Sequence, residues 1–431
     1  MPIHLVAEVI ANLPSNTNLL YTFAGLAVAI CLQAWASGRS NPRDRDMHGR
    51  TVLLVGGFTP TGLTILTQLA QRGAQVVAIT PKLADPLPQL IIPALRSTSG
   101  NELLFTEECD LRSPASIQAF CNLLIKASNG TGANSEPPRL DAIIFAHEYT
   151  HIGTAYGASA SARAKDVEER EQRSLATFMM STLLLPLLLR APPERDVRII
   201  NVVNPYYAAA VATFDPTTPL TMKTVSVSQL EGDRSLRSIV FARHFQRVVN
   251  ALASPVAPPT DETLAQVSVT PPTNSNISFV AACPGFSRWE TIAPLFGAST
   301  QSLLGVLLYA LLYPLIFIFA KSATASAHTP LYTLFMPTAM RSRQENVPKI
   351  QGGHLYRECA VVQVPTQQGV LLMSEESIGR AVWESYEKGL EAWKKREEEE
   401  LKDLAVESKK KPSEATSPPP PPGPSGKMKQ T

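Results

Sequence analysis

The sequence is poor in the features that mark several functional classes. It holds five cysteines in 431 residues (Cys31, Cys109, Cys121, Cys283 and Cys359), and no two of them form a CxxC pair. That spacing argues against a zinc site or any other metal centre and against a disulfide framework. Each cysteine reads as a small apolar side chain in a reducing compartment. An excess of one charge is also missing: 39 Lys and Arg against 37 Asp and Glu leave a formal net charge of +2. With no RNA- or DNA-binding motif either, nucleic acid is not an expected partner. No lysine or arginine precedes Arg39, so the basic start of a secretory leader and an arginine-rich transit peptide are both lacking.

Apolar runs, by contrast, are present. Residues 19–36 contain one strongly polar side chain, Gln33. A bilayer crossing needs about 20 such residues, so the run is near the minimum for a transmembrane helix. Arg39, Arg43, Arg45 and Arg50 follow it, and the positive-inside bias then puts the N-terminus outside and the rest in the cytosol. Ala34-Trp35-Ala36 mimics a leader cleavage site, which keeps a cleaved signal as the alternative. Residues 303–320 form a second uncharged run, interrupted by Gly305 and Pro314. Hydropathy alone makes it a span, but a β-rich segment at 361–364 lies beyond it. A single crossing would separate that strand from its sheet. The run is therefore expected to lie in the membrane interface, or to dip in and return at Pro314.

Between the two runs the pattern is β-α-β. Residues 51–55 (TVLLV) read as a strand, Gly56-Gly57-Phe58-Thr59-Pro60-Thr61-Gly62 as a turn, 63–72 as an amphipathic helix, and 76–79 as the next strand. Glycines in such a turn let the backbone approach a pyrophosphate seated on the helix N-terminus, and Thr59 and Thr61 offer hydroxyls. The alternative is a tight turn without a ligand. Asp110 and Leu111 end a third strand region, where Asp110 either contacts an adenine edge or caps the following turn. Apolar segments at 140–146, 197–203 and 277–283 follow, the last ending in Pro284-Gly285. Near-continuous apolar strands alternating with helices predict an α/β fold, a Rossmann doubly wound parallel sheet covered on both faces.

In their order, these segments resemble the short-chain dehydrogenase/reductase family over residues 48–364. The retinol-dehydrogenase-like branch looks nearest, through 110–120, 178–188 and 312–332, with Gly352 to Tyr356 and 361–364 as its final turn and strand. The resemblance implies NADP or NAD as cofactor and a catalytic Asn, Ser, Tyr and Lys. Tyrosine is the acid/base, lysine lowers its pKa, serine polarises the carbonyl and asparagine organises a water. Reading the second half of that set on a helix over 238–252, this sequence places Arg173, Asn204, Ile239 and Arg243 at the four positions. Isoleucine cannot donate a proton, and an arginine does not titrate near neutrality. The cofactor-contacting positions implied are Gly56, Gly57, Thr59, Thr61, Gly62, Asp110, Leu111, Arg243, Pro284 and Gly285. Tyr206 and Tyr207 follow Asn204 and offer a displaced acid. His147 and Glu148 end the fourth strand, either as site residues or as polar loop residues. No acid closes the second strand, whereas Lys82 is placed to meet a 2′-phosphate, which favours NADP.

The expected organisation is a membrane anchor at 1–47, a Rossmann domain at 48–366, a charged helix at 367–405 and a disordered Pro-rich tail at 406–431. Two functions follow. One is an NAD(P)-dependent oxidoreductase acting on a lipid or other apolar carbonyl or alcohol at a cytosol-facing membrane such as the endoplasmic reticulum. The other is an inactive Rossmann protein that binds a nucleotide, membrane lipid or a protein partner there. The sequence names no particular protein partner.

Overall fold

The computed structural model describes residues 17–129, 139–155, 159–219, 225–253, 275–298, 302–338, 348–364 and 375–410. Of the expected tail at 406–431, the residues beyond 410 lie outside those described.

Among the described residues the strands are β1 (Thr51–Val55), β2 (Gln75–Thr80), β3 (Leu104–Glu108), β4 (Ala142–Phe145), β5 (Val197–Val202), β6 (Ile277–Cys283), β7 (Leu355–Arg357) and β8 (Ala360–Val362). They form one sheet in the order β3-β2-β1-β4-β5-β6-β7-β8. Every pairing is parallel except β7 with β8. β5 and β6 are buried along their whole length, as strands covered on both faces must be. The expected last strand at 361–364 is corrected. The final parallel strand is β7, inside the run read as a turn, and residues 360–362 fold back on it as an antiparallel edge. Glu358 and Cys359 turn the corner with positive φ.

Among the described residues the helices of 12 residues or more are α1 (Thr17–Ala36), α2 (Pro60–Gln71), α3 (Pro86–Ser99), α4 (Pro114–Asn129), α5 (Ala160–Leu188), α6 (Val227–Ala253), α7 (Leu303–Phe319), α8 (Ala323–Phe335) and α9 (Glu376–Lys410). Two apolar clusters flank the sheet. α2 and α8 cover one face, and α4, α5 and α6 cover the other. α9 packs over α5 and α6. Its Tyr386 and Trp393 are buried in the same cluster as Phe178 and Phe241, and Trp383 stands edge-on to Phe178 at 5.1 Å. The charged residues of this helix thus solvate one face, while its aromatic stripe belongs to the core.

Both apolar runs become helices, α1 and α7, and they pack against each other. Among the described residues no helix is long and apolar enough to cross a membrane, so the expected transmembrane helix becomes a helix paired with α7. The expected return at Pro314 is corrected too, because α7 runs through Pro314 unbroken. A proline removes a single backbone donor and kinks a helix more often than it reverses one. α7 lies along the domain. Tyr309 Oη donates to the Arg288 carbonyl at 3.2 Å, and Arg288 Nη2 donates to the Phe317 carbonyl at 2.8 Å. The basic stretch is largely used internally: Arg45 forks onto Asp196 at 2.8 Å, Arg50 pairs with Asp196 and Asp141, and Arg43 stacks on Tyr332. These arginines fasten the linker to the sheet, which weakens their use as a topology signal.

Candidate nucleotide cleft

In a doubly wound sheet, ligands bind at the carboxyl ends of the strands where the order reverses, here between β1 and β4. A cleft of about 570 Å³ opens there, within the usual range for a small-molecule site. Of the expected cofactor residues, Gly56, Thr59, Asp110 and Leu111 line it, together with His147 and Arg173. Gly56 has φ +83°, and a Cβ there would meet the His147 backbone nitrogen at 2.6 Å. Only glycine fits where the first turn passes under the end of β4. Gly57 faces Leu54 and Ala78 in the core. Thr61 and Gly62 lie in the first turn of α2. Asp110 accepts from the Arg112 amide at 3.0 Å, so it caps its turn and also borders the cleft. Pro284 and Gly285 lie past β6, outside the cleft lining, and the Gly285 carbonyl accepts from Tyr149 Oη at 2.7 Å.

Arg243 is not in this site. Its Nη1 donates to the Gly352 carbonyl at 3.4 Å, and it borders a different cavity with Ser275, Asn276 and Gly352 at the amino end of β6. α6 starts at Val227, eleven residues before the expected 238, and runs back from the carboxyl edge. Nine residues of helix, about 14 Å, separate Arg243 from Arg234. Ile239 is buried in the core. The side chain of α6 that does reach the carboxyl edge is Arg234, whose Nη2 donates to the Glu148 carbonyl at 2.9 Å and the Thr150 carbonyl at 3.1 Å. One turn before Arg234 stands Leu230, and both line a separate cavity with Arg170 and Tyr386.

Asn204 is fully buried with both ends committed. Its Nδ2 donates to the Tyr149 carbonyl at 3.2 Å and its Oδ1 accepts from the Tyr206 amide at 3.1 Å. Arg173 borders the cleft, donating to the His147 carbonyl at 3.1 Å and pairing with Glu169. Glu148 points into the core, accepting from Ser238 Oγ at 2.6 Å. Tyr207 is buried against Arg357. Tyr206 is half-buried, edge-on to His151 and to Phe286 at 5.2 Å each. Burial and the Glu231 charge push its hydroxyl up to about 12.

Two features escaped the sequence reading. Asp85 lies five residues past β2, yet the chain returns it to the strand end. It lines the cleft and accepts from Thr80 Oγ1 at 3.4 Å, so an acid does stand at the end of β2. Its signal was the Asp85-Pro86 helix start. Lys82 is exposed and outside the cleft lining. The second feature is Glu290, whose carboxylate bonds to the Thr61 amide at 3.2 Å and to the Thr61 hydroxyl. No local pattern pointed to it.

These residues match a nicotinamide dinucleotide only in part. The adenosine half of the cleft is open and polar at its rim. The other half is closed: the His151 amide donates to the Glu290 carbonyl at 2.8 Å and the Ala155 amide to the Leu295 carbonyl at 2.9 Å. These bonds tie the loop after β4 to the loop after β6. In this form the residues fit an adenosine moiety and not the whole dinucleotide.

Two buried histidines follow β4, His147 in the cleft lining and His151 behind it. Burial lowers His147 to about 3. It also lowers His151 to about 4, with Glu231 opposing and Arg170 and Arg234 assisting. Both values lie below the roughly 6.5 of an unfolded histidine, so the unfolded chain takes up protons first as pH falls. Stability is therefore expected to be intact above about 6.5 and to fall between about 6.5 and 4, by up to about 1.4 kcal/mol per pH unit for each histidine. Urea unfolding at stepped pH checks this. His151→Asn should flatten the profile, and an unchanged slope would count against it.

No family model matches the chain. It is 24% identical over 348 residues to an uncharacterized oxidoreductase of Saccharomyces cerevisiae, covering 78% of this chain and 81% of that protein. It is 23% identical to the human dehydrogenase/reductase SDR family member 13, over 74% of this chain and 69% of the relative. Mouse retinol dehydrogenase 14 matches at 27% over 42% of this chain and 56% of its own length. A solved short-chain dehydrogenase from Salmonella enterica shares 12% identity over 73% of this chain and 99% of its own, with a TM-score of 0.45.

Proposed function

We propose that this chain, a divergent member of the short-chain dehydrogenase/reductase family similar to its retinol-dehydrogenase branch, binds an adenine nucleotide at a lipid surface without running the family's tyrosine–lysine proton transfer. One observation carries the reading: Arg234, the α6 side chain that reaches the end of β4, is committed to the Glu148 and Thr150 carbonyls, and the residue one turn before it is Leu230. Leucine has no proton to give, and a guanidinium held by carbonyl oxygens has none to exchange near neutrality. The open adenosine half of the cleft supports binding, and Asp85 supports a free ribose 2′-hydroxyl, as in NAD. The lipid surface is supported by α1 and α7, where Trp35 is 79% and Leu303 is 91% exposed. Apolar exposure on that scale marks a binding face.

The test is titration of the full chain in detergent with adenosine, NADH and NADPH, followed by a turnover screen with apolar aldehydes and ketones. Saturable adenine binding without cofactor oxidation is expected. Binding of none of the three would remove the reading.

A second reading keeps an oxidoreductase acting on an apolar carbonyl, with Tyr206 as the proton donor. It is favoured by the place of Tyr206 beside His151 and Phe286 and by its retained proton. Under it, Tyr206→Phe lowers turnover by about 10²–10⁴ with nucleotide affinity unchanged. Measurable turnover with that loss would replace the first reading.

A further inference from the structure

Thr61 and Glu290 are 229 positions apart in the chain and meet at the start of α2. The first turn of a helix normally offers free N–H groups and a positive dipole end, which is why a Rossmann fold seats its diphosphate there. In this chain no such group is left over. Pro60 has no N–H. The Thr61 amide donates to Glu290 Oε1 at 3.2 Å, the Gly62 amide to Thr59 Oγ1 at 3.1 Å, and the Leu63 amide to the Thr59 carbonyl at 2.7 Å. The Thr61 hydroxyl also bonds to the Glu290 carboxylate. Glu290 is 2% exposed and is positioned by its own turn, in which its amide donates to Ser287 Oγ at 3.4 Å. Its carbonyl is tied across the cleft to the His151 amide. A carboxylate gains from the helix end the same stabilisation that a phosphate would, and a phosphate brought beside it would meet like charge and no free donor in the first turn of α2.

We propose that Glu290 is a built-in occupant of the diphosphate place, so that the cleft receives the adenosine part of a ligand while a dinucleotide enters only by displacing this carboxylate. The proposal rests on the nucleotide reading above and adds its specificity: the preferred ligand class is an adenine nucleoside, or a nucleotide whose phosphates point away from α2.

The test measures affinities of adenosine, ADP and NADH for the full chain in detergent, as wild type, Glu290→Gln and Glu290→Ala. The wild type is expected to bind ADP and NADH no tighter than adenosine. Both variants are expected to bind ADP and NADH at least about tenfold tighter than the wild type does, a gain of the size of one charge-assisted hydrogen bond, with adenosine affinity unchanged. Glu290→Gln keeps the side-chain shape and guards against a folding defect in Glu290→Ala. If ADP and NADH affinities do not rise in either variant while adenosine still binds, the occupant role is overturned and the nucleotide reading stands. If adenosine, ADP and NADH fail to bind the wild type and both variants, both are overturned.

Discussion

Glu231→Ala is expected to lower the free energy of unfolding by roughly 3–5 kcal/mol, the usual cost of breaking a buried ion pair from one side. Glu231 is fully buried on α6 between two arginines. Arg170 Nε donates to it at 2.5 Å and Arg234 Nη2 at 2.6 Å. Burial pushes the carboxyl up, but the charges of Arg234, His151 and Arg170 outweigh it and hold the group below its ordinary value. Without Glu231 two guanidinium groups remain buried with no carboxylate bonded to either. Backbone carbonyls at Ile152, Glu148 and Thr150 satisfy some of their N–H groups but do not neutralise them. Denaturant unfolding followed by circular dichroism measures the loss. A change under about 1 kcal/mol would mean that water reaches the cluster, as at an exposed pair.

The second large effect is on membrane partition. Leu304, Leu307 and Leu311 are exposed on α7, so replacing them with aspartate removes no core contact and should leave the fold intact. If these side chains enter lipid, each contributes about 1.5–3 kcal/mol of apolar burial. The triple variant is then expected to fall at least about 10³-fold in vesicle partition. Co-sedimentation with phosphatidylcholine/phosphatidylserine vesicles reads this directly, with an unchanged unfolding midpoint as control. Equal sedimentation of variant and wild type would assign lipid contact to α1 alone or remove it.

Local pattern determined much of this protein. Alternating apolar runs specified β1, β2 and β4 to β6, because a strand buried on both faces must be apolar along its length. The Gly56 turn and the start of α2 followed from backbone conformation. The order of segments implied the family, and the β-rich stretch beyond 320 was enough to keep α7 from being read as a span. What the sequence could not supply depends on length and on distance. α6 starts at Val227 behind a capping box of Ser226 and Gln229, a signal present in the sequence, whereas a helix read from 238 put forward Ile239 and Arg243, which the fold carries away from the cleft. Asp85 is returned to the end of β2 by the turn that starts α3. The arginines after α1 read as a topology signal until Asp196 and Asp141 were seen beside them. Glu290 looked like one loop carboxylate among many. Only folding brought β6 beside β5 and carried the following turn over the start of α2, where the Thr61 amide holds a carboxylate that no local pattern could have placed.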